Sequence, residues 1–423
     1  MRHVRCALMG ATFLLGLAAL PIGPATTAHA AAPIKIEVMD WFTSSSETAA
    51  LRELVAKVNA AGGDWQNVTI AGFDQGVAAA QSAAAGGNPP TALQFNGGKQ
   101  FDDLAERGLL NTIDGVAAEQ DWTKVLPPAL GASISRDGHY YGVPIDDHGE
   151  TWMYTSSAAF KKAGVAVPTT WDAFFPAMDK LKAAGITPIA WGGQDWQEFG
   201  AFYTVLLSKE GPDLYNAVFR DKKIDAVNSA AFKDAVDTFG KMRAYVDAGS
   251  PNRNWNDATA MLIKGTGGVQ FMGDFAKGEF TVAHMKEGQD YGCYLGLGAN
   301  DHYFMMSTDV LIMPKGKGAD RIAAQDLLAK VAMSKDAQLA FNNAKGGVPA
   351  RLDIDSTKLD PCARKGYEAL KVPGNQLAGP EMVLSADLMG SLTDVVTRFW
   401  SSPTMTSDQF IEKFAAAIKD ADD

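Results

Sequence analysis

The sequence predicts an α/β fold built on parallel strands, and three observations carry that prediction. Short stretches of alternating apolar residues and longer stretches of helical apolar periodicity follow one another from residue 34 to residue 95. The same alternation resumes from residue 170 towards the C-terminus. The composition, 47% hydrophobic and 21% charged over 423 residues, is that of a globular chain with room for two domains. Disorder, collagen and coiled coil are excluded as the main architecture.

Ile34, Ile36 and Val38 alternate with polar residues, so 34–39 reads as a strand. Ser44 and Glu47 have capping-box spacing, and Leu51, Leu54, Val55 and Val58 then share one helical face, up to Gly62-Gly63. A second strand is expected at 68–70, an alanine-rich helix at 77–85, stopped before Pro89-Pro90, and a third strand at 92–95. Further on, Thr170-Trp171-Asp172 opens a helix to residue 184, and Phe232, Val236, Phe239 and Met242 stripe a helix over 229–248. Residues 303–313 read as one apolar strand, 321–344 as one helix, and 406–421 as a last amphipathic helix. With no repeat and no low-complexity linker, the two domains are expected to exchange strands.

Residues 1–30 read as a secretory leader: Arg2 and Arg5, an apolar core too short to span a bilayer, and Ala28-His29-Ala30 at a cleavage site. Cys6 leaves with that segment. Cys293 and Cys362 remain, an even pair in an exported chain, read as one disulfide in preference to two buried thiols. Loss of Arg2 and Arg5 takes the formal charge from −11 to −13. Such an acidic chain lacks the basic footprint of a nucleic-acid binder or of electrostatic docking on anionic lipid.

No phosphate loop, nucleophile elbow or His-Glu-x-x-His motif occurs, and His139, His148, His284 and His302 are scattered, so no metal or other cofactor is expected. The sequence does repeatedly set aromatic rings beside amides and carboxylates near predicted strand ends or helix starts, at Trp41-Phe42, at Gln94-Phe95-Asn96 with Lys99 nearby, at Trp191 to Trp196, and at Asn254-Trp255-Asn256-Asp257. Open α/β sheets bind ligands at those strand ends. A pyranose asks for an aromatic ring against its C–H face and planar polar groups for its hydroxyls. The reading is therefore of binding without catalysis. The alternative is a secreted glycoside hydrolase using two of the many carboxylates, although no spacing singles out a pair.

Several segments, taken in order, resemble a known family: Asp40-Trp41-Phe42-Thr43-Ser44, Gly87-Asn88-Pro89-Pro90, Tyr140-Tyr141-Gly142-Val143-Pro144, Gly192-Gly193-Gln194-Asp195-Trp196-Gln197, Met272-Gly273-Asp274-Phe275-Ala276-Lys277-Gly278-Glu279 and Lys345-Gly346-Gly347-Val348-Pro349-Ala350-Arg351. The chain resembles, over nearly all its mature length, the solute-binding proteins of bacterial sugar ABC transporters, in the group of periplasmic glucose/mannose-binding proteins. The resemblance implies a two-lobed periplasmic-binding-protein fold with a multi-strand hinge and a ligand cleft between lobes. Lobe 1 would hold 31–143 and 301–350, lobe 2 144–300 and 351–423. It implies a periplasmic monomer that binds sugar and presents it to a membrane permease, and the pair Cys293 and Cys362 fits the family's disulfide. Trp41 and Phe42 would stack on the sugar, with polar contacts from Gln94, Asn96, Trp255, Asp274, Asp309, Lys345 and Arg351, joined by Glu47, Lys99, Asp146 and His148. Trp41→Ala and Asp309→Ala are each expected to weaken sugar binding by ~1–3 kcal/mol and to leave the fold intact. The set departs from the glucose pattern at Phe42, Asn96, Phe275 and 385–387, so the resemblance implies a sugar and not glucose in particular.

Overall fold

In a computed structural model, which describes residues 32–422, the first strand is Ile34–Asp40, and its alternation turns Ile36, Val38 and Asp40 inwards. The leader expected at 1–30, Cys6 included, lies outside the described residues. Ser44 caps the Ser45–Ala60 helix with a complete capping box: its side chain takes the Glu47 amide, and the Glu47 carboxylate takes the Ser44 amide. The second strand is Gly63–Thr69, starting five residues before the expected position. It lies at a sheet edge, where only Gly63 and Trp65 face the core, so its polar residues masked it in the sequence. Gly63 allows the close approach, since a Cβ there would lie 2.7 Å from the Val58 side chain. The next helix is Phe73–Ala85 and the third strand Ala92–Asn96.

These strands form a five-stranded sheet in the order Gly63–Thr69, Ile34–Asp40, Ala92–Asn96, Asp309–Ile312, Gly142–Pro144. The first three run parallel, and Asp309–Ile312 is antiparallel to both its neighbours. The apolar stretch at 303–313 is therefore two strands. Phe304–Ser307 pairs with His148–Gly149 and Gln376–Ala378 in another sheet. The break falls at Thr308, whose hydroxyl donates to the Asp146 carbonyl, while the Asp309 amide donates to Asp146 Oδ1 at 2.9 Å. The polar Ser307-Thr308-Asp309 inside the run is where one sheet gives way to the other. A third sheet has the order Tyr291–Tyr294, Trp152–Ser156, Gly267–Met272, Thr187–Ile189.

Two long helices also end earlier than periodicity alone requires. The 321–344 stretch is Arg321–Ala332 followed by Lys335–Lys345, because the Ser334 hydroxyl accepts from the Ala337 amide at 3.2 Å and starts a new helix. The helix expected over 229–248 is Ala230–Met242, capped by Ser229, followed by a 3-10 turn at Arg243–Tyr245. Trp171–Ala183 and Ser407–Asp422 fall close to their expected places.

The buried apolar side chains separate by sequence. One core draws on residues 36–145 and 310–350 and packs under the five-stranded sheet. Two others draw on 152–306 and 348–418. The disulfide is formed between Cys293 and Cys362, tying Tyr291–Tyr294 to the helix Pro361–Leu370.

One core carboxyl makes stability depend on pH. Glu198, buried on the Asp195–Glu210 helix, has its pKa pushed up to about 8 by burial, with Thr397 and Trp191 holding it back. An unfolded Glu releases its proton near pH 4.3. The native chain therefore holds the extra proton between that pH and about 8, and stability falls as pH rises across the window. Glu198→Gln, which has no proton to lose, is expected to melt with wild type at pH 4.5 and above it at pH 8. Parallel melting curves at both pH values would contradict the assignment.

Candidate functional site

Three segments cross between the sheets side by side: 145–148, 307–309, and 346–348, where Val348 bridges Asp147 through its backbone. Together with the Lys335–Lys345 helix end and the turn after Gly267–Met272, they bring Asp146, His148, Asp274, Asp309 and Lys345 into one buried cluster, none more than 5% exposed.

The Lys345 ammonium lies at its centre. It donates to Asp146 Oδ2 at 2.7 Å and to Asp309 Oδ2, and sits 2.7 Å from His148 Nε2 and 4.6 Å from the Phe42 ring centroid. His148 Nδ1 is 2.8 Å from Asp274 Oδ1, and Nε2 is 3.0 Å from Asp309 Oδ2. Both ring nitrogens thus face carboxylates. Burial and the Lys345 charge pull the imidazole pKa down, but Asp146 and Asp274 outweigh them and hold His148 well above its ordinary value. Burial raises Asp309, and Lys345 and His148 more than reverse it, leaving its carboxyl far below the usual range. Asp274 is raised by burial, with His148 opposing. Asp146, His148 and Asp309 also present three donor atoms within 4.8 Å of one another, the reach of a metal ion. The ammonium of Lys345 contacts all three and supplies the positive charge there.

The cluster connects to an aromatic face. Gln94 Nε2 donates to Asp309 Oδ1 at 2.8 Å, and its Oε1 accepts from the Trp41 amide at 3.0 Å. Trp41 is half-buried, its ring edge-on to Phe73 at 5.4 Å and backed by Gly76, where a Cβ would meet the ring at 2.8 Å. Trp255, also half-buried, stands against Phe275 at 5.1 Å, and Phe275 is edge-on to His148 at 5.3 Å. Asn96 is opposite Asp309 in register and half-buried.

Four expected site residues are engaged differently. Phe42 is 5% exposed and packs on Phe341, with the Lys345 ammonium over its ring. Arg351 closes its fork on Asp353 at 2.8 and 2.9 Å and gives a further bond to the Met333 carbonyl, none of which reaches the cluster. Glu47 spends Oε2 on the amides of Thr43 and Ser44. Burial raises its pKa, with Lys345 opposing. Lys99 is exposed at the start of a 3-10 turn.

Other polar groups beside the cluster were missed in the sequence. Asp147 is wholly buried with neither carboxylate oxygen bonded among the described residues, and burial pushes its pKa well above the usual carboxylate range. Glu150 is pushed up to about 8 by burial and the neighbouring Glu381. The run Asp146-Asp147-His148-Gly149-Glu150, polar where the chain crosses between sheets, was the available signal.

Strands crossing between separately packed sheets, with a buried charged cluster at the crossing, define a two-lobed binding fold. The sequence profile described as "Bacterial extracellular solute-binding protein" matches residues 43–345, and the chain belongs to that family. It is 36% identical over 417 residues to a "Probable sugar-binding periplasmic protein" of Brucella suis biovar 1 (strain 1330), covering 95% of this chain and 96% of that one. It is 37% identical over 415 residues to a protein of the same description from Mesorhizobium japonicum (strain LMG 29417 / CECT 9101 / MAFF 303099), covering 95% and 98%. Among solved structures, the fold matches a chitin oligosaccharide binding protein with a TM-score of 0.78 at 17% identity, covering 92% of this chain and 99% of that one. It matches maltose-bound MalE3 of T. maritima with a TM-score of 0.74 at 20% identity, covering 92% and 100%. No helix among the described residues is long and apolar enough to cross a membrane.

Proposed function

We propose that the chain is the periplasmic sugar receptor of an ABC importer, binding a mono- or short oligosaccharide between two lobes and handing it unchanged to a membrane permease. The lobes are 31–143 with 301–350 and 144–300 with 351–423. The protein acts as a monomer and is delivered by the 1–30 leader. The observation that carries the reading is the tie of the Trp41 backbone amide to the charged cluster through Gln94, which seats this half-buried aromatic residue beside it. An aromatic face beside ionised donors and acceptors is what a pyranose needs, because charge-assisted hydrogen bonds to its hydroxyls are worth ~1.5–3 kcal/mol each. Trp41 and Trp255 supply the faces, and Asn96, His148, Asp309 and Lys345 the polar contacts. The names of the full-length relatives support a sugar ligand and the periplasm. The glycoside-hydrolase alternative finds no support among them.

Calorimetric titration against a panel of monosaccharides and short oligosaccharides is expected to find a ligand. With that ligand, Trp41→Ala weakens binding by ~10- to 100-fold, the loss typical of a central aromatic contact. The ring is half-exposed, so the variant melts within a few degrees of wild type. Unchanged affinity would remove Trp41 from the site, and a panel without any ligand would remove the function.

A further inference from the structure

The capping box of the Ser45–Ala60 helix does not serve every first-turn amide. Ser44 takes the Glu47 amide and Glu47 takes the Ser44 amide, but the Ser46 amide has no partner within its own helix. That partner comes from 233 residues away: Glu279 Oε1 accepts from both the amide and the hydroxyl of Ser46, each at 2.9 Å. Glu279 stands on the helix Ala276–Val282, whose Ala276 and Phe280 are buried in a core other than that of Ala50, Leu54 and Val58 on the Ser45–Ala60 helix. A carboxylate is thus seated on the positive end of a helix that packs in a different core.

Two glycines make the approach possible. A Cβ on Gly278 would lie 2.2 Å from the Lys345 carbonyl and 2.4 Å from Ser46 Cβ. A Cβ on Gly346 would lie 2.6 Å from the Asp274 carbonyl. The contact is therefore built up to backbone distance, immediately beside Lys345 and Asp274.

We propose that Glu279 is a positioning residue for closure: its bond to Ser46 clasps the two lobes together, and so sets sugar affinity without touching the sugar. The inference rests on the two-lobed sugar-receptor reading.

The test uses the full mature chain and the best sugar from the panel, with calorimetry, stopped-flow dissociation, small-angle scattering and melting. Glu279→Ala is expected to raise Kd about tenfold, mainly through faster dissociation, and to lower the ligand-free melting temperature by no more than a few degrees. Glu279→Gln, which keeps an acceptor, is expected to recover most of the loss. Gly278→Ala, whose methyl meets backbone, is expected to keep a larger radius of gyration than wild type at saturating sugar. Affinity and dissociation within twofold of wild type in Glu279→Ala, or wild-type compaction in Gly278→Ala, would overturn the clasp. If wild type binds no sugar, the receptor reading fails, while ligand-free scattering of wild type against Gly278→Ala still decides the clasp: a larger radius in the variant supports it and equal radii overturn it.

Discussion

Lys345→Met is expected to abolish measurable sugar binding and to destabilise the chain by about 3–5 kcal/mol, the usual cost of removing one partner from a buried ionic network. Lys345 is 1% exposed and contacts Asp146, Asp309 and His148. Methionine keeps most of the aliphatic stem, so packing is largely kept, while the ammonium and its contacts over the Phe42 and Phe341 rings are lost. Asp146, Asp274 and Asp309 then share one buried cation, His148. The destabilisation has a pH signature. Asp309 has its folded pKa depressed by Lys345 and His148, so its stabilising contribution is present above the unfolded value near 3.9 and is lost as pH falls towards the folded one. The gap between wild type and variant should therefore be widest around neutrality and narrow below pH 4. Urea unfolding at pH 7 and pH 3.5 measures both. Equal stability at pH 7 would mean that the cluster holds no net ionic stabilisation. The same geometry revises the expectation for Asp309→Ala: that change leaves Lys345 and His148 short of a carboxylate and orphans Gln94 Nε2, so it costs stability as well as affinity.

Removing the disulfide is the other large effect. Cys293 and Cys362 close a loop with a sequence separation of 69. By the chain-entropy model a loop of that length stabilises the native state by ~4 kcal/mol, through restriction of the unfolded chain. Cys293→Ser with Cys362→Ser should lose about that much in urea unfolding. Wild type in strong reductant should approach the double variant, because the lost restraint is the same. A double variant within 1 kcal/mol of oxidised wild type would show that the unfolded chain keeps these segments together without the bond.

What the sequence revealed was local. The Ser44–Glu47 box, the strand at Ile34–Asp40 and the helix starts at Thr170 and Ser229 are spelled within a few residues and form where expected. The single apolar stretch around Thr308 was not divisible by periodicity, because both halves are buried and only the Asp146 contacts decide where one sheet ends. Among the expected site residues, Asp146, His148, Asp274, Asp309 and Lys345 gather in one buried cluster, and Gln94 joins it to the Trp41 amide. Arg351 and Phe42 mark where legibility ends: residue type states what a side chain can offer, and only packing shows that Asp353 holds Arg351 and that Phe42 lies on Phe341. Glu279 was unreadable because its partner is 233 residues away.

The split at Thr308 also fixes a frame. Side chains alternate across a strand, so one residue inserted between Ser307 and Asp309 would turn over the four that follow. Asp309 would take the seat now filled by Val310, and the carboxylate would be driven into oil. Surface turns of this chain can lengthen at little cost, but this junction has no slack: its phase must be inherited intact.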